Sequence, residues 1–140
     1  MKNVRSVLFA LTVLLLATAA QAQQIKVKAD VPFDFVVGDR AYPAGEYFLQ
    51  SMFKGDSAIR IDNTREAAAG IVLTDACSSL KPAATTTLVF HRVSGHYFLY
   101  QVWTEGNTLG RQFQMTRAEV QLAQNHEKPE RVIVAANIFR

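Results

Sequence analysis

Short runs of alternating apolar and polar residues, separated by turn-forming residues, are the feature that most limits the fold of this chain. Residues 25–29, 46–52 and 57–62 alternate in this way. Turns that contain Gly or Pro separate them at residues 43–45 and 54–56. Alternation with a period of two is typical of strands that bury one face. Each run therefore predicts a short strand.

The strongest local signal is a hairpin over residues 87–103. Two β-rich runs, 87–93 and 96–103, are joined by Ser94-Gly95, and a two-residue turn with Gly favours a hairpin. This turn places Val93 opposite His96 and His91 opposite Phe98. Both faces are apolar near the middle, so the hairpin is predicted to be covered on two sides.

Further strands are predicted at residues 33–37, 68–74 and 131–138, with a turn at 38–40 and a polar loop at 75–84. Thr116 and Glu119 form the S/T-x-x-E pattern of a helix capping box. The chain is thus predicted to be mainly β. We expect an antiparallel β-sandwich or barrel of about seven or eight short strands, with one short C-terminal helix.

The N-terminus has the pattern of a cleavable export signal. Lys2 and Arg5 precede an apolar stretch at residues 7–16, and Ala20-Gln21-Ala22 supplies small residues for a signal peptidase. The apolar stretch is shorter than the roughly 20 residues that cross a bilayer. We therefore predict a signal peptide at 1–22, a single β-rich domain at 23–140 without a transmembrane span, and a periplasmic or extracellular location.

Charge and cysteine content limit which partners and which covalent links are expected for this chain. Without Lys2 and Arg5, 13 Lys and Arg remain against 12 Asp and Glu, and the basic residues are scattered. Nucleic-acid binding usually needs a basic patch, so a nucleic-acid partner is not expected. Cys77 is the only cysteine, so an internal disulfide is impossible, and a buried apolar role for Cys77 is favoured over a thiol that links partners.

The candidate site residues are few. His91 and His96 lie diagonally on the hairpin, but zinc needs three or four ligands, and the third histidine, His126, is far along the chain. No nucleophile signature accompanies them, so the sequence predicts no catalytic residue, no metal and no cofactor. Tyr100 and Trp103 join the two histidines as a possible ligand or partner surface.

Part of the chain resembles a known group of proteins. Residues 31–38 read V-P-F-D-F-V-V-G, and residues 42–47 read Y-P-A-G-E-Y. This pattern is similar to the V-P-F-D-F-x-V-G…L-P-A-G-x-Y motif of a family of small exported bacterial proteins that are frequent among acidobacteria, with Tyr42 in place of Leu. The family has no assigned activity, so the resemblance implies an exported β domain and no functional residues. The Pro-Ala-Gly turn is predicted to set the register of the strands at 33–37 and 46–52.

These observations favour an exported, non-catalytic binding or structural module. Its expected partner is an unknown protein, glycan or envelope component. One alternative is a carrier that holds a small apolar ligand in a barrel cavity, since the predicted strands hold many aromatic residues. The other is a hydrolase that uses His91 or His96.

Overall fold

A computed structural model describes residues 24–55, 57–65, 70–125 and 128–139. The predicted signal peptide at 1–22 and the histidine at position 126 lie outside these residues. The described residues hold ten strands and one helix, which confirms the mainly β prediction. The elements are β1 (Lys26–Val31), β2 (Phe35–Val37), β3 (Arg40–Tyr42), β4 (Gly45–Ser51), β5 (Ala58–Asn63), β6 (Gly70–Ser78), β7 (Thr87–Val93), β8 (His96–Trp103), β9 (Leu109–Phe113), α1 (Arg117–Gln124) and β10 (Glu130–Ile138). Within the same residues, no helix has the length and apolar character needed to span a membrane.

Eight of the described strands close into an antiparallel barrel. The order around the barrel is β8-β7-β10-β1-β4-β5-β6-β9, and β9 pairs back to β8 at Val102–Arg111. Of the two architectures left open by the sequence, sandwich and barrel, the structure is therefore the barrel. Closure through β9 covers residues 74–78 of β6 and residues 101–102 of β8, edges that an open sheet would expose.

The part of the barrel wall between β8 and β6 is formed by two elements, the strand β9 and the hairpin of β2 and β3. At one end, β9 pairs with residues 74–78 of β6. At the other end, β2 pairs in parallel with β8 through Val36 and Phe98, and β3 pairs with β2. The β2–β3 hairpin turns at Gly38, whose φ of 59° suits glycine. The turn predicted at 38–40 is thus one residue shorter, because Arg40 already belongs to β3.

The Pro-Ala-Gly segment does not set the register that the sequence predicted. The strand β2 pairs with β3 and β8, whereas β4 pairs with β1 and β5. The segment is held instead by side chains: the Ala44 N–H donates to Asp34 Oδ1 at 2.8 Å, and the Tyr47 hydroxyl donates to the Pro43 carbonyl. The first bond fastens the connection between β3 and β4 to the chain before β2, and the second fastens it to β4.

An aromatic cluster fills the end of the barrel under the β2–β3 hairpin. Phe35 contacts the rings of Tyr42, Tyr47 and Phe90, with centroids 5.0–5.4 Å apart. Phe33 stacks on Tyr97 at 3.8 Å. Four of these side chains are at most 3% exposed: Phe35, Tyr42, Tyr47 and Phe90. The hairpin is therefore joined to the barrel by ring packing more than by backbone pairing.

The β7–β8 hairpin has the predicted register near its turn, with Val93 opposite His96 and His91 opposite Phe98. A β-bulge then leaves Tyr100 as an extra residue, since Phe90 pairs with Leu99 and Val89 pairs with Gln101. The bulge shifts the phase, so the predicted division into two faces fails beyond Leu99. Residues on both faces are buried, as predicted, because α1 packs against β7 outside the barrel.

Candidate functional site

Two of the four predicted surface residues lie together. His91 on β7 and Tyr100 at the bulge in β8 stack with their centroids 3.8 Å apart and their planes at 26°. Both side chains are half-buried. Tyr100 lies two residues after Phe98, the partner of His91, so strand alternation places its ring on the face of His91.

A buried carboxylate completes this cluster. Glu119 on α1 is 2% exposed, and its Oε1 lies 3.0 Å from Nδ1 of His91. The predicted capping box is half confirmed: Thr116 Oγ1 accepts the Glu119 N–H at 3.1 Å, while the Glu119 carboxylate turns to His91. Charged side chains are rarely buried unless paired. The His91–Glu119 pair therefore fixes α1 to the outside of the barrel.

The other two predicted residues lie apart from this cluster. His96 is exposed at the start of β8, beside the Ser94-Gly95 turn. Trp103 ends the same strand, roughly 23 Å away at the usual rise of a strand. Among the described residues, no three metal-ligating side chains come together. The four predicted residues thus do not form a single site.

Trp103 lies flat against the backbone of β9. A Cβ atom at Gly110 would come within 2.8 Å of the Trp103 ring and 2.9 Å of the Val102 carbonyl oxygen. The indole N–H donates to Gln101 Oε1 at 3.1 Å, and Gln101 bonds in turn to Gln112. Trp103 therefore helps to hold β8 and β9 together at the point where the barrel closes.

We expect Gly110→Ala to lower the free energy of unfolding by about 1–3 kcal/mol, because the added methyl group must displace the Trp103 ring. Urea unfolding followed by the fluorescence of Trp103 measures this loss. Leu109→Ala is the matched control, since Leu109 is 67% exposed and its truncation should change stability by less than about 0.5 kcal/mol. Equal stability of the two variants would contradict the contact.

A groove of about 820 Å³ lies between β3 and β6. We call it the β3–β6 groove. It is lined by the β2–β3 hairpin, by the first four residues of β6 and by residues 114–117 ahead of α1. A smaller groove of about 400 Å³ lies near Pro32 and Gly45. The volume of the β3–β6 groove falls in the range of about 300–1,000 Å³ that is usual for ligand sites.

One end of the β3–β6 groove is closed by a tight contact. The hydroxyl of Tyr42 occupies the space that a Cβ would take at Gly70, and the Arg40 guanidinium lies close to the same point. Burial raises the pKa of Tyr42, although Arg40 lowers it in part. Tyr42 therefore stays neutral at physiological pH, and the positive charge of Arg40 remains at the groove.

The rest of the groove combines exposed apolar side chains with cationic ones. Ile71 and Leu73 on β6 are 63% and 66% exposed, and Met115 is 46% exposed. Arg117 lies at the start of α1 and is exposed. Large apolar side chains grouped at the surface, with charged groups around them, are typical of an interaction site.

The sequence did not single out this groove. The run Ile71-Val72-Leu73 predicts the centre of a strand, and the structure exposes two of its three side chains. The strand also continues to Ser78, so the first part of the predicted polar loop at 75–84 is wrong, because β9 pairs with it. Cys77, in this extension, is half-buried, and burial raises the pKa of its thiol while Arg111 lowers it.

Comparison with known proteins gives no relative from which a function can be transferred. No family model matches the chain, and neither the curated proteins nor the solved structures give a match.

Proposed function

We propose that this protein is an exported, non-catalytic binding module whose partner docks in the β3–β6 groove. The observation that carries the proposal is the exposure of Ile71 and Leu73 beside a groove of ligand-binding size. Exposed leucine and isoleucine side chains gain free energy when a partner removes them from water, at about 25 cal/mol per Å² of apolar surface. Export rests on the signal pattern at residues 1–22.

The chemistry of the groove supports binding more than catalysis. Among the described residues, its lining contains apolar side chains, two guanidinium groups and a single carboxylate, that of Asp39 in an exposed turn. Catalytic sites usually bring two or more titratable side chains within hydrogen-bond reach of each other. The carrier alternative has less support, because the aromatic rings at this end of the barrel are in contact with one another.

Binding is tested with the processed chain, residues 23–140, immobilised and exposed separately to solubilised envelope, to secreted protein and to a glycan array. We expect one class of partner to be retained by the wild type and lost with Leu73→Asp. Ile133→Asp is the matched control, because Ile133 on β10 is 61% exposed and lies outside the groove. The proposal would be refuted if the Leu73→Asp variant retained the partner as well as the wild type does, or if the wild type retained no class of partner.

A second candidate function follows from one observation. The Glu119 carboxylate at Nδ1 of His91 is an arrangement that orients an imidazole as a general base. A hydrolase would then lose its activity with His91→Ala but keep it with His96→Ala, since His96 is distant and exposed. A substrate screen of the three proteins distinguishes this function from binding alone.

A further inference from the structure

We propose that the β3–β6 groove binds an extended acidic segment of a partner protein, which adds as a strand to the edge of β6 at residues 70–73. This inference rests on the proposed function and specifies the chemistry of the partner. It is carried by the backbone of β6, by the apolar side chains beside it and by the charge of the groove.

Along residues 70–73, the backbone of β6 has an edge at the groove that no other strand of the described part of the chain occupies. The Thr74 N–H donates to the Ser57 carbonyl at 2.8 Å, which directs the backbone groups of every second residue, including Val72, towards β5. The N–H and C=O groups of Ile71 and Leu73 therefore point away from β5. Phe113, the last residue of β9, is opposite Thr74, so in the described part of the chain no strand pairs with this side of Ile71 and Leu73.

The opposite wall of the groove is also a strand edge. The strand β3 pairs with β2 on one side, and its other side borders the groove. The contact between Tyr42 and Gly70 holds β3 and β6 together at one end, and the groove lies along the rest of both strands. An extended segment of four residues, about 13 Å long, matches residues 70–73. Unpaired strand edges are templates for a further strand.

The side chains beside this edge favour a segment with alternating apolar residues. Ile71 and Leu73 project from the same face of β6, and Met115 lies across the groove from them. In strand addition, backbone bonds supply affinity and alternate side chains supply specificity. Apolar side chains at every second position of the segment would pack on Ile71 and Leu73.

The charge of the groove determines which residues suit the other positions of the bound segment. Among the described residues, the charged ones that line the groove are Asp39, Arg40 and Arg117, with a net charge of +1. Acidic side chains in the segment complement the two guanidinium groups. A second copy of this chain, paired through the same edge, would instead bring the Arg117 side chains of both copies towards one groove, and like charges oppose such pairing. The charge therefore favours an acidic partner over self-association.

Three peptides test the proposal on the processed chain. The first is a capped octapeptide that alternates valine and glutamate, the second replaces glutamate by lysine, and the third is the acidic peptide with every amide N-methylated. We expect binding of the acidic peptide, binding of the lysine peptide about tenfold weaker, and no binding of the methylated peptide. Arg117→Glu should weaken the acidic peptide about tenfold, whereas Arg131→Glu, exposed on β10, should leave its affinity unchanged.

Hydrogen exchange gives the readout for strand addition itself. The amides of Ile71 and Leu73 should exchange more slowly when the acidic peptide is bound, while the Val72 amide, already directed to β5, should change little. Binding of the methylated peptide as tightly as its parent, or unchanged exchange at Ile71 and Leu73, would overturn strand addition. Dimerisation through residues 70–73 would overturn the acidic partner. After either result, the proposed function would still be supported if a partner that binds the wild type fails to bind the Leu73→Asp variant.

Discussion

The variant Phe90→Ala is expected to lose about 3–5 kcal/mol of unfolding free energy, the largest effect of any single truncation proposed for this protein. Phe90 is fully buried, and its ring contacts Phe33 at 5.0 Å and Phe35 at 5.4 Å. Truncation leaves a cavity where the β2–β3 hairpin meets the barrel. The close-packed neighbouring rings cannot fill this cavity unless the hairpin moves. Urea unfolding followed by circular dichroism measures the loss.

The control for Phe90→Ala is Phe53→Ala. Both changes remove the same atoms, but Phe53 is 63% exposed, so its truncation should alter the unfolding free energy by less than about 0.5 kcal/mol. Similar losses for the two variants would mean that the aromatic cluster does not hold the hairpin in place.

The second large effect is expected for Glu119→Ala, which should lower the unfolding free energy by about 2–4 kcal/mol. The Glu119 side chain is 3% exposed and its partner His91 is 18% exposed, so removal of the carboxylate leaves a half-buried imidazole without its partner. The same change removes the contact that fixes α1 to β7. Urea unfolding of the single variants and of the His91→Ala/Glu119→Ala double variant gives the coupling energy of the pair.

Glu130→Ala is the matched control, because it removes the carboxylate partner of Arg92, the residue that follows His91 on β7. Glu130 contacts Arg92 of β7 at 3.4 Å, but the two side chains are 63% and 48% exposed. Water screens such a pair, and its loss should cost less than about 1 kcal/mol. A coupling energy for His91 and Glu119 no larger than that of the exposed pair would show that the helix is held by other contacts.

The strands that alternate clearly were predictable from sequence, and the two that do not were missed. Residues 46–52 and 57–62 predicted β4 and β5 to within a residue or two. The strand β3 has three residues, too few to show a period, and β9 contains Gly110, Arg111 and Gln112, which carry no apolar pattern. The strand β3 exists through its short hairpin with β2, and β9 through pairing with the distant β6 and with β8, so the local propensity of either segment gives no sign of a strand.

The candidate sites were only partly accessible for the same reason. The sequence singled out His91 and Tyr100, whose rings stack in the structure. It did not connect Glu119 with His91, because nothing local links residues that are 28 positions apart. It also could not show that Ile71 and Leu73 are exposed, since apolar residues in a strand predict burial, whereas both side chains lie on the exposed face of β6.

The position of β10 has a consequence for how the chain matures. The last strand lies between β7 and β1, so the barrel joins the first strand of the domain to the last. A chain that emerges from a ribosome or a translocation pore with its N-terminus first cannot close this circle until residues 130–138 are released. Until then the edges of β1 and β7 stay unpaired and open to aggregation. Folding is therefore completed only after residues 130–138 have been released, when the whole domain is present at once.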